Sequence, residues 1–143
     1  MNRAHDLYCF YFGAQKGSDV PIVFLYHDQE VGDFLAKNIQ DFLFERIIYD
    51  MVDIDYYQEN NEAKSKEQLE DTLRTHSKYM KQVHIEIIRA VMQRTAELFD
   101  VLNLNGQVIA QVKGLLSEKE AQELINQYIA FEQAGQSFVY MGA

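Results

Sequence analysis

Three short apolar stretches open the chain and predict an antiparallel sheet. LYCFYF at 7–12 and PIVFLYH at 21–27 are aromatic and aliphatic runs without acidic or basic residues, a pattern typical of buried strands. VGDFLAK at 31–37 predicts a third, shorter strand. GAQKGSD at 13–19 and DQE at 28–30 have the glycines and polar residues of connecting loops. We therefore expect an antiparallel meander of three strands.

Apolar residues then recur at helical spacing, which predicts a helix from Ile39 to about Tyr57. Asn38 is a favourable N-cap residue, and Asp41 places a carboxylate beside the free N–H groups of the first turn. The apolar positions are Ile39, Phe42, Leu43, Phe44, Ile47, Ile48, Met51, Val52 and Ile54. Because they cover more than one face, we expect this helix to be largely buried.

A second helical pattern begins at Ser65, which forms a capping-box sequence with Gln68. Its apolar seam repeats in steps of three and four over about three heptads. The seam consists of Leu69, Leu73, His76, Met80, Val83, Ile87 and Ala90. The pattern continues to about residue 102, and a helix of that length predicts a bend that no Gly or Pro locates. The 69–90 seam predicts either internal core or a surface through which two copies dimerise.

The last third of the chain predicts a strand, a helix and a further strand. Asn-Gly at 105–106 is a turn sequence, and the alternating QVIAQVK at 107–113 predicts a strand. A capping box at 117–120 opens a helix that should run to about Ala134. QSFVYM at 136–141 predicts a short final strand.

Strands followed by helices, and then a strand, a helix and a strand, predict an α+β fold. No Gly-, Ser- or Pro-rich linker divides the chain, so we expect one domain over residues 1–143. Within it we expect an antiparallel sheet packed against helices. The expected parts are a sheet-forming segment at about 7–58, a helical segment at 65–102 and a strand–helix–strand segment at 107–141.

The amino-acid composition is that of a globular protein and excludes some kinds of structural site. The 143 residues are 48% hydrophobic and 24% charged, as in ordinary globular domains. Cys9 is the single cysteine, which excludes an internal disulfide and a cysteine-based zinc site. The sequence has no apolar run of membrane-spanning length and no secretory signal pattern. We therefore expect a cytoplasmic protein without a cofactor.

The acidic charge of the chain is concentrated in its first part. The net charge is −9, and residues 1–60 contain 11 acidic and 4 basic residues, against 11 acidic and 9 basic in residues 61–143. This balance argues against direct nucleic-acid binding, which needs clusters of Lys and Arg. It favours a basic protein partner, although solubility alone would also account for it.

An acidic run with interleaved tyrosines follows the predicted first helix. Carboxylates steer a basic partner, and tyrosines supply contact area at low entropic cost. The alternative interpretation is a solvated helix end. The candidate partner-binding residues are Asp50, Asp53, Asp55, Tyr56, Tyr57 and Glu59.

The alternative to a protein-binding site is a metal site. His27, Asp28 and Glu30 bring an imidazole and two carboxylates to a predicted strand end, where they could bind a divalent cation, although a polar turn has the same composition. The serines lack the G-x-S-x-G context, and no phosphate-binding glycine loop is present. The sequence therefore predicts no catalytic residue.

Residues 9–44, CFYFGAQKGSDVPIVFLYHDQEVGDFLAKNIQDFLF, resemble the last part of a SUKH domain, the superfamily that includes the fungal regulators of cell-wall glucan synthesis. The matching features are an aromatic strand ending in FG, the strand PIVFLYHDQE, and a short strand ending in LAKN before IQDFLF. The resemblance implies a noncatalytic immunity-type protein. Its partner would be a basic toxin, possibly a nuclease, whose cationic cleft it blocks.

Three functions follow for experimental comparison. The first is an acidic protein-binding module of the immunity type. The second is a structural or regulatory protein of the cytoplasm that dimerises through the 69–90 helix. The third is a metal-dependent enzyme that uses His27, Asp28 and Glu30.

Overall fold

The computed structural model describes residues 6–26, 29–54 and 61–140, and this part of the chain has an α+β fold of four α-helices and six strands. It divides into two compact units, which are Met1–Phe42 with Tyr128–Ala143 (unit 1) and Leu43–Gln127 (unit 2). The elements are β1 (Leu7–Phe10), β2 (Ile22–Leu25), β3 (Val31–Ala36), α1 (Ile39–Val52), α2 (Glu62–His76), α3 (Gln82–Met92), β4 (Glu97–Leu102), β5 (Val108–Gly114), α4 (Glu118–Tyr128) and β6 (Ser137–Val139). None of the described helices combines the length and the apolar character needed to cross a bilayer.

Unit 1 contains the predicted meander. Its sheet has the order β1-β2-β3-β6, and all three pairings are antiparallel. The prediction that β1 is buried is wrong, since Leu7, Tyr8 and Phe10 are all about half exposed. Among the strands that the structure describes, β1 is at the edge of the sheet and pairs with β2 alone, so no further strand covers its other side. In β3, Gly32 is required by close packing, because a Cβ there would lie 2.7 Å from the Leu25 side chain.

Aromatic rings fill the interior of unit 1. Tyr11 stacks on Phe138 with ring centroids 4.8 Å apart. Phe34 contacts Phe138 at 4.7 Å and meets Phe131 edge-on at 6.3 Å. These contacts join β3 to the strand and loop that follow α4, so the C-terminal segment completes the core of the sheet.

Helix α1 begins where its capping residue predicts. The side-chain oxygen of Asn38 accepts a hydrogen bond from the Asp41 N–H at 2.9 Å, which confirms the N-cap. The helix ends at Val52 rather than near residue 57. The predicted last turn over 55–57 lies outside the described residues.

The helical segment predicted over 65–102 has the expected break, which separates α2 from α3, but its last part is wrong, because residues 97–102 form a strand. Side chains near the end of α2 donate to its carbonyl groups, and neither Gly nor Pro lies at this end. Thr75 Oγ1 donates to the carbonyl oxygens of Asp71 and Thr72, and Ser77 Oγ donates to that of Arg74. A short 3-10 turn follows, and Met80 is extended.

The break divides the 69–90 seam between two helices, so it does not form one continuous face for dimerisation. Three of its members are buried within the chain, while Val83 is 45% exposed. The buried members are Leu69, Leu73 and Met80. The capping box at Ser65 is also wrong, since Asn61 caps α2 by accepting from the Lys64 N–H.

Residues 97–102, predicted as helix, form β4 and pair with β5 in a two-stranded hairpin. The turn is confirmed, with Gly106 at φ +79° and its N–H bonded to the Asn103 carbonyl. At the base of the hairpin the Leu115 N–H donates to the Met51 carbonyl at 2.8 Å. A Cβ on Gly114 would lie 2.1 Å from the Val52 carbonyl oxygen, so this approach to the end of α1 requires glycine.

Helix α4 has the predicted cap, since Ser117 Oγ accepts from the Glu120 N–H at 3.1 Å. It ends at Tyr128 rather than near Ala134. The final strand, β6, is confirmed but is shorter than predicted.

A candidate binding cleft between helices α1 and α2

A cleft of about 440 Å³ lies in unit 2 between the C-terminal part of α1 and the N-terminal half of α2. Its lining combines charged, polar and apolar side chains. The lining residues are Arg46, Tyr49, Asp50, Asp53, Ile54, Ser65, Gln68, Leu69 and Thr72.

The sequence spacing explains why these side chains share one cleft. On α1 the lining residues Tyr49 and Asp50 follow Arg46 by three and four residues, and Asp53 and Ile54 come directly after the end of that helix. On α2 the lining positions recur three, four and seven residues after Ser65. Positions with this spacing lie on one face of a helix. Each helix therefore presents one mixed polar and apolar stripe to the cleft.

Two carboxylates on the α1 wall lack neutralising partners. Within the described part of the chain, neither Asp50 nor Asp53 forms an ion pair. Burial against the cleft raises the pKa of the Asp50 carboxyl, although that residue keeps an exposed surface, and the Arg46 charge partly opposes the rise. A cation bound here would compensate both charges.

Three other carboxylates of unit 2 are paired with basic side chains, whereas acids such as Glu86 and Glu123 are exposed outside the cleft lining. Glu120 lies 2.8 Å from Arg94, and Glu70 lies 3.0 Å from Arg89. Glu62, beside the start of α2, lies within 4 Å of two lysines. The two aspartates of the cleft therefore differ from these paired acids in their availability.

Apolar and polar groups meet on the floor of the cleft. Ile54 and Leu69 are almost fully buried, and Ser65 is 4% exposed. The Ser65 hydroxyl has no hydrogen-bond partner among the described residues. A buried hydroxyl left unsatisfied costs about 1–3 kcal/mol, so this serine does not serve stability. The sequence pattern assigned it to a helix cap and missed its position in the cleft.

Hydrogen bonds hold parts of the cleft wall in place. The Tyr49 hydroxyl donates to Gln122 Oε1 on α4 at 2.9 Å. Burial, with the nearby charges of Glu45 and Glu118, raises the pKa of that phenol, so it remains a donor at neutral pH. The Thr72 hydroxyl donates to the carbonyl of Gln68 at 2.9 Å. These bonds restrain the walls while the aspartates stay available.

The remaining predicted partner-binding residues lie in the segment 55–60, outside the described residues. They are Asp55, Tyr56, Tyr57 and Glu59.

Of the three residues of the predicted metal site, the structure describes one, Glu30. His27 and Asp28 also lie outside the described residues, while Glu30 is exposed between β2 and β3, and its carbonyl accepts from the Tyr140 N–H. Among the residues that the structure describes, no group of three or more His, Cys, Asp or Glu could hold a metal ion.

Three aspartates from the acidic first part of the chain are hydrogen-bonded or buried in unit 1. The Asp33 carboxylate accepts hydrogen bonds from Tyr26 at 2.8 Å and Ser137 at 2.7 Å. Asp19 accepts from the Asn38 amide at 2.8 Å, and Asp41 is buried. Asp50 and Asp53 differ from these three, since both line the cleft in unit 2.

Comparisons with protein-family models, with curated proteins and with solved structures find no match to this chain. The SUKH resemblance of residues 9–44 therefore stays a prediction, and a functional proposal depends on the cleft.

Proposed function

We propose that this protein is a noncatalytic binding module that engages a basic protein through the α1–α2 cleft. The single observation that supports this most is the pair of aspartates without ion-pair partners, Asp50 and Asp53, on one wall of an open cleft. Both were candidate partner-binding residues from the sequence alone.

The chemistry of the cleft favours binding over catalysis. The Ser65 hydroxyl has no hydrogen-bonded base among the described residues, and the Thr72 hydroxyl donates to a backbone carbonyl. None of the lining residues is a His or a Cys. A fixed negative site on a chain of net charge −9 instead accelerates encounter with a cationic surface. Such binding should weaken as salt screens the charges.

The narrower proposal is that the partner is a toxin and that this protein neutralises it by covering a cationic active site. A nuclease grips phosphates with basic residues, so an acidic inhibitor complements it in charge. This part of the proposal depends on the SUKH resemblance of residues 9–44.

The test uses the purified chain and basic proteins encoded by neighbouring genes, titrated by calorimetry. We expect one of them to bind, and Asp50→Asn/Asp53→Asn to weaken that binding at least tenfold, or about 1.4 kcal/mol. A matched control is Glu86→Gln/Glu123→Gln, which removes two exposed acids of unit 2 away from the cleft lining. Binding that is insensitive to the first pair, or equally sensitive to both, would contradict the proposal.

The hairpin β4–β5 favours a second candidate function, dimerisation with another copy of this chain. Leu98 and Ile109 are each 63% exposed, and residues 101–112 contain no charged side chain. Two acidic copies repel each other least across such a neutral surface, and added strands would stabilise a two-stranded sheet.

Sedimentation equilibrium tests this candidate. Ile109→Asp should split a dimer, while Val139→Asp, which changes an exposed strand residue of unit 1, should not. A wild-type monomer at micromolar concentration would refute the dimer.

A further inference from the structure

We infer that the α1–α2 cleft is a receptor for an alkylammonium group, supplied by a lysine side chain of the protein partner. This inference depends on the proposed function, because it names the group through which the basic protein would be held. It is carried by three features of the cleft together: its apolar floor, its two carboxylates and its unsatisfied hydroxyl.

The apolar floor suits the aliphatic part of a lysine side chain. Ile54, just after the end of α1, and Leu69 of α2 both line the cleft. Long basic side chains commonly lay their methylene groups along apolar surface while the charged end stays among polar groups. A cation without such a stem would leave this surface uncovered.

The polar groups match an ammonium ion in number and kind. An ammonium has three donors and no acceptor. Asp50 on α1 and Asp53 just after that helix offer carboxylate oxygens, and Ser65 offers a hydroxyl oxygen from α2. Because serine has a single short side-chain torsion, its hydroxyl can turn toward a ligand. Binding would satisfy the one buried hydroxyl of this cleft that has no partner within the described residues.

The separation of the acceptors favours lysine over arginine. A guanidinium presents its donors as a rigid planar fork, which suits a single carboxylate approached edge-on. Here the acceptors are on α1, in the residue just after its end, and on α2. A compact ammonium, whose three donors point in different directions, can contact acceptors that are arranged in this way.

Arg46 sets the charge of the empty cleft. Burial raises the pKa of the Asp50 carboxyl, and the positive charge of Arg46, one turn before it, opposes part of that rise. The lining contains two acids and this one base, so its net charge is −1. One lysine ammonium would neutralise it.

The experiment titrates the full chain with three capped amino acids and follows backbone amide NMR shifts. The probes are Nα-acetyl-lysine methylamide, its arginine counterpart, and its norleucine counterpart, which keeps the alkyl chain but lacks the charge. We expect the lysine probe to shift the amides of residues 65–72 at millimolar concentration. The arginine and norleucine probes should bind at least several-fold more weakly.

Ser65→Ala separates binding from stability. Because the hydroxyl is buried without a partner, removing it should leave the midpoint of urea unfolding unchanged or raise it, and should weaken lysine binding several-fold. The control is Ser77→Ala, since the Ser77 hydroxyl bonds to the Arg74 carbonyl and lies outside the cleft lining. As a second variant, Asp50→Asn/Asp53→Asn should abolish the shifts.

Equal shifts from lysine and norleucine, the absence of shifts with lysine, or unchanged lysine binding in Ser65→Ala would each overturn the inference. If a basic protein nevertheless bound in a manner dependent on Asp50 and Asp53, the proposed function would stand and only the lysine assignment would fail. If neither the lysine probe nor any basic protein bound, both would fail.

Discussion

The buried histidine of α3 should make this protein sensitive to mild acid. His84 is 1% exposed, and its ring stacks on Phe44 with the centroids 4.3 Å apart. Its Nδ1 atom has no hydrogen-bond partner among the described residues. Burial, with a smaller contribution from the Lys81 charge, lowers the pKa of His84 to about 4.

The effect of pH on stability depends on how the pKa of His84 differs between the folded and the unfolded protein. In the unfolded chain the pKa of His84 returns to about 6.5, so the unfolded state binds the proton more tightly. The free energy of unfolding therefore decreases as the pH falls from about 6.5 to about 4. At about 1.4 kcal/mol for each tenfold change in proton affinity, the full loss is about 3 kcal/mol.

Urea unfolding at a series of pH values between 7 and 4 measures this loss. Carboxyl groups also titrate in this range, so the comparison is between wild type and His84→Leu. We expect the loss of stability on acidification to be smaller in the variant by about 3 kcal/mol. His76→Gln is the control, because it removes the half-buried histidine of α2 and leaves His84 in place. Parallel curves for wild type and His84→Leu would refute the reasoning.

Three substitutions test the local structure by urea unfolding. Gly114→Ala should destabilise by about 3 kcal/mol, because the new Cβ meets the Val52 carbonyl and the backbone must move; an unchanged midpoint would contradict the close approach. Gly106→Ala should cost about 1 kcal/mol, since φ is +79° but the site is open, and a larger cost than that of Gly114→Ala would reverse the order expected here. Asn38→Ala should cost about 1 kcal/mol by removing the cap bond to Asp41, and no loss would show that this cap is dispensable.

Local signals in the sequence predicted the elements that local interactions determine. The Asn38 cap, the Ser117 cap and the turn at 105–106 all depend on residues only a few positions apart. Prediction failed where contacts between residues far apart in the sequence determine the secondary structure. Leu98 and Leu102, four residues apart, fit a helix as well as a strand, and pairing with β5 makes them a strand.

The same difference between local and distant interactions explains which residues of the cleft the sequence could predict. Asp50 and Asp53 could be selected from the acidic run, because charge is visible in the sequence. Ser65 could not, since its importance arises from burial without a partner. That two helix faces meet around a cleft is a property of tertiary packing.

Calorimetric titration of a basic protein partner at two salt concentrations tests the central claim most directly. Wild type should bind at about 50 mM salt and more weakly at about 200 mM, as expected for attraction between charged surfaces. Asp50→Asn/Asp53→Asn should bind at least tenfold more weakly at low salt and lose much of the salt dependence. Equal affinity and equal salt dependence in the two proteins would contradict a binding role for the cleft.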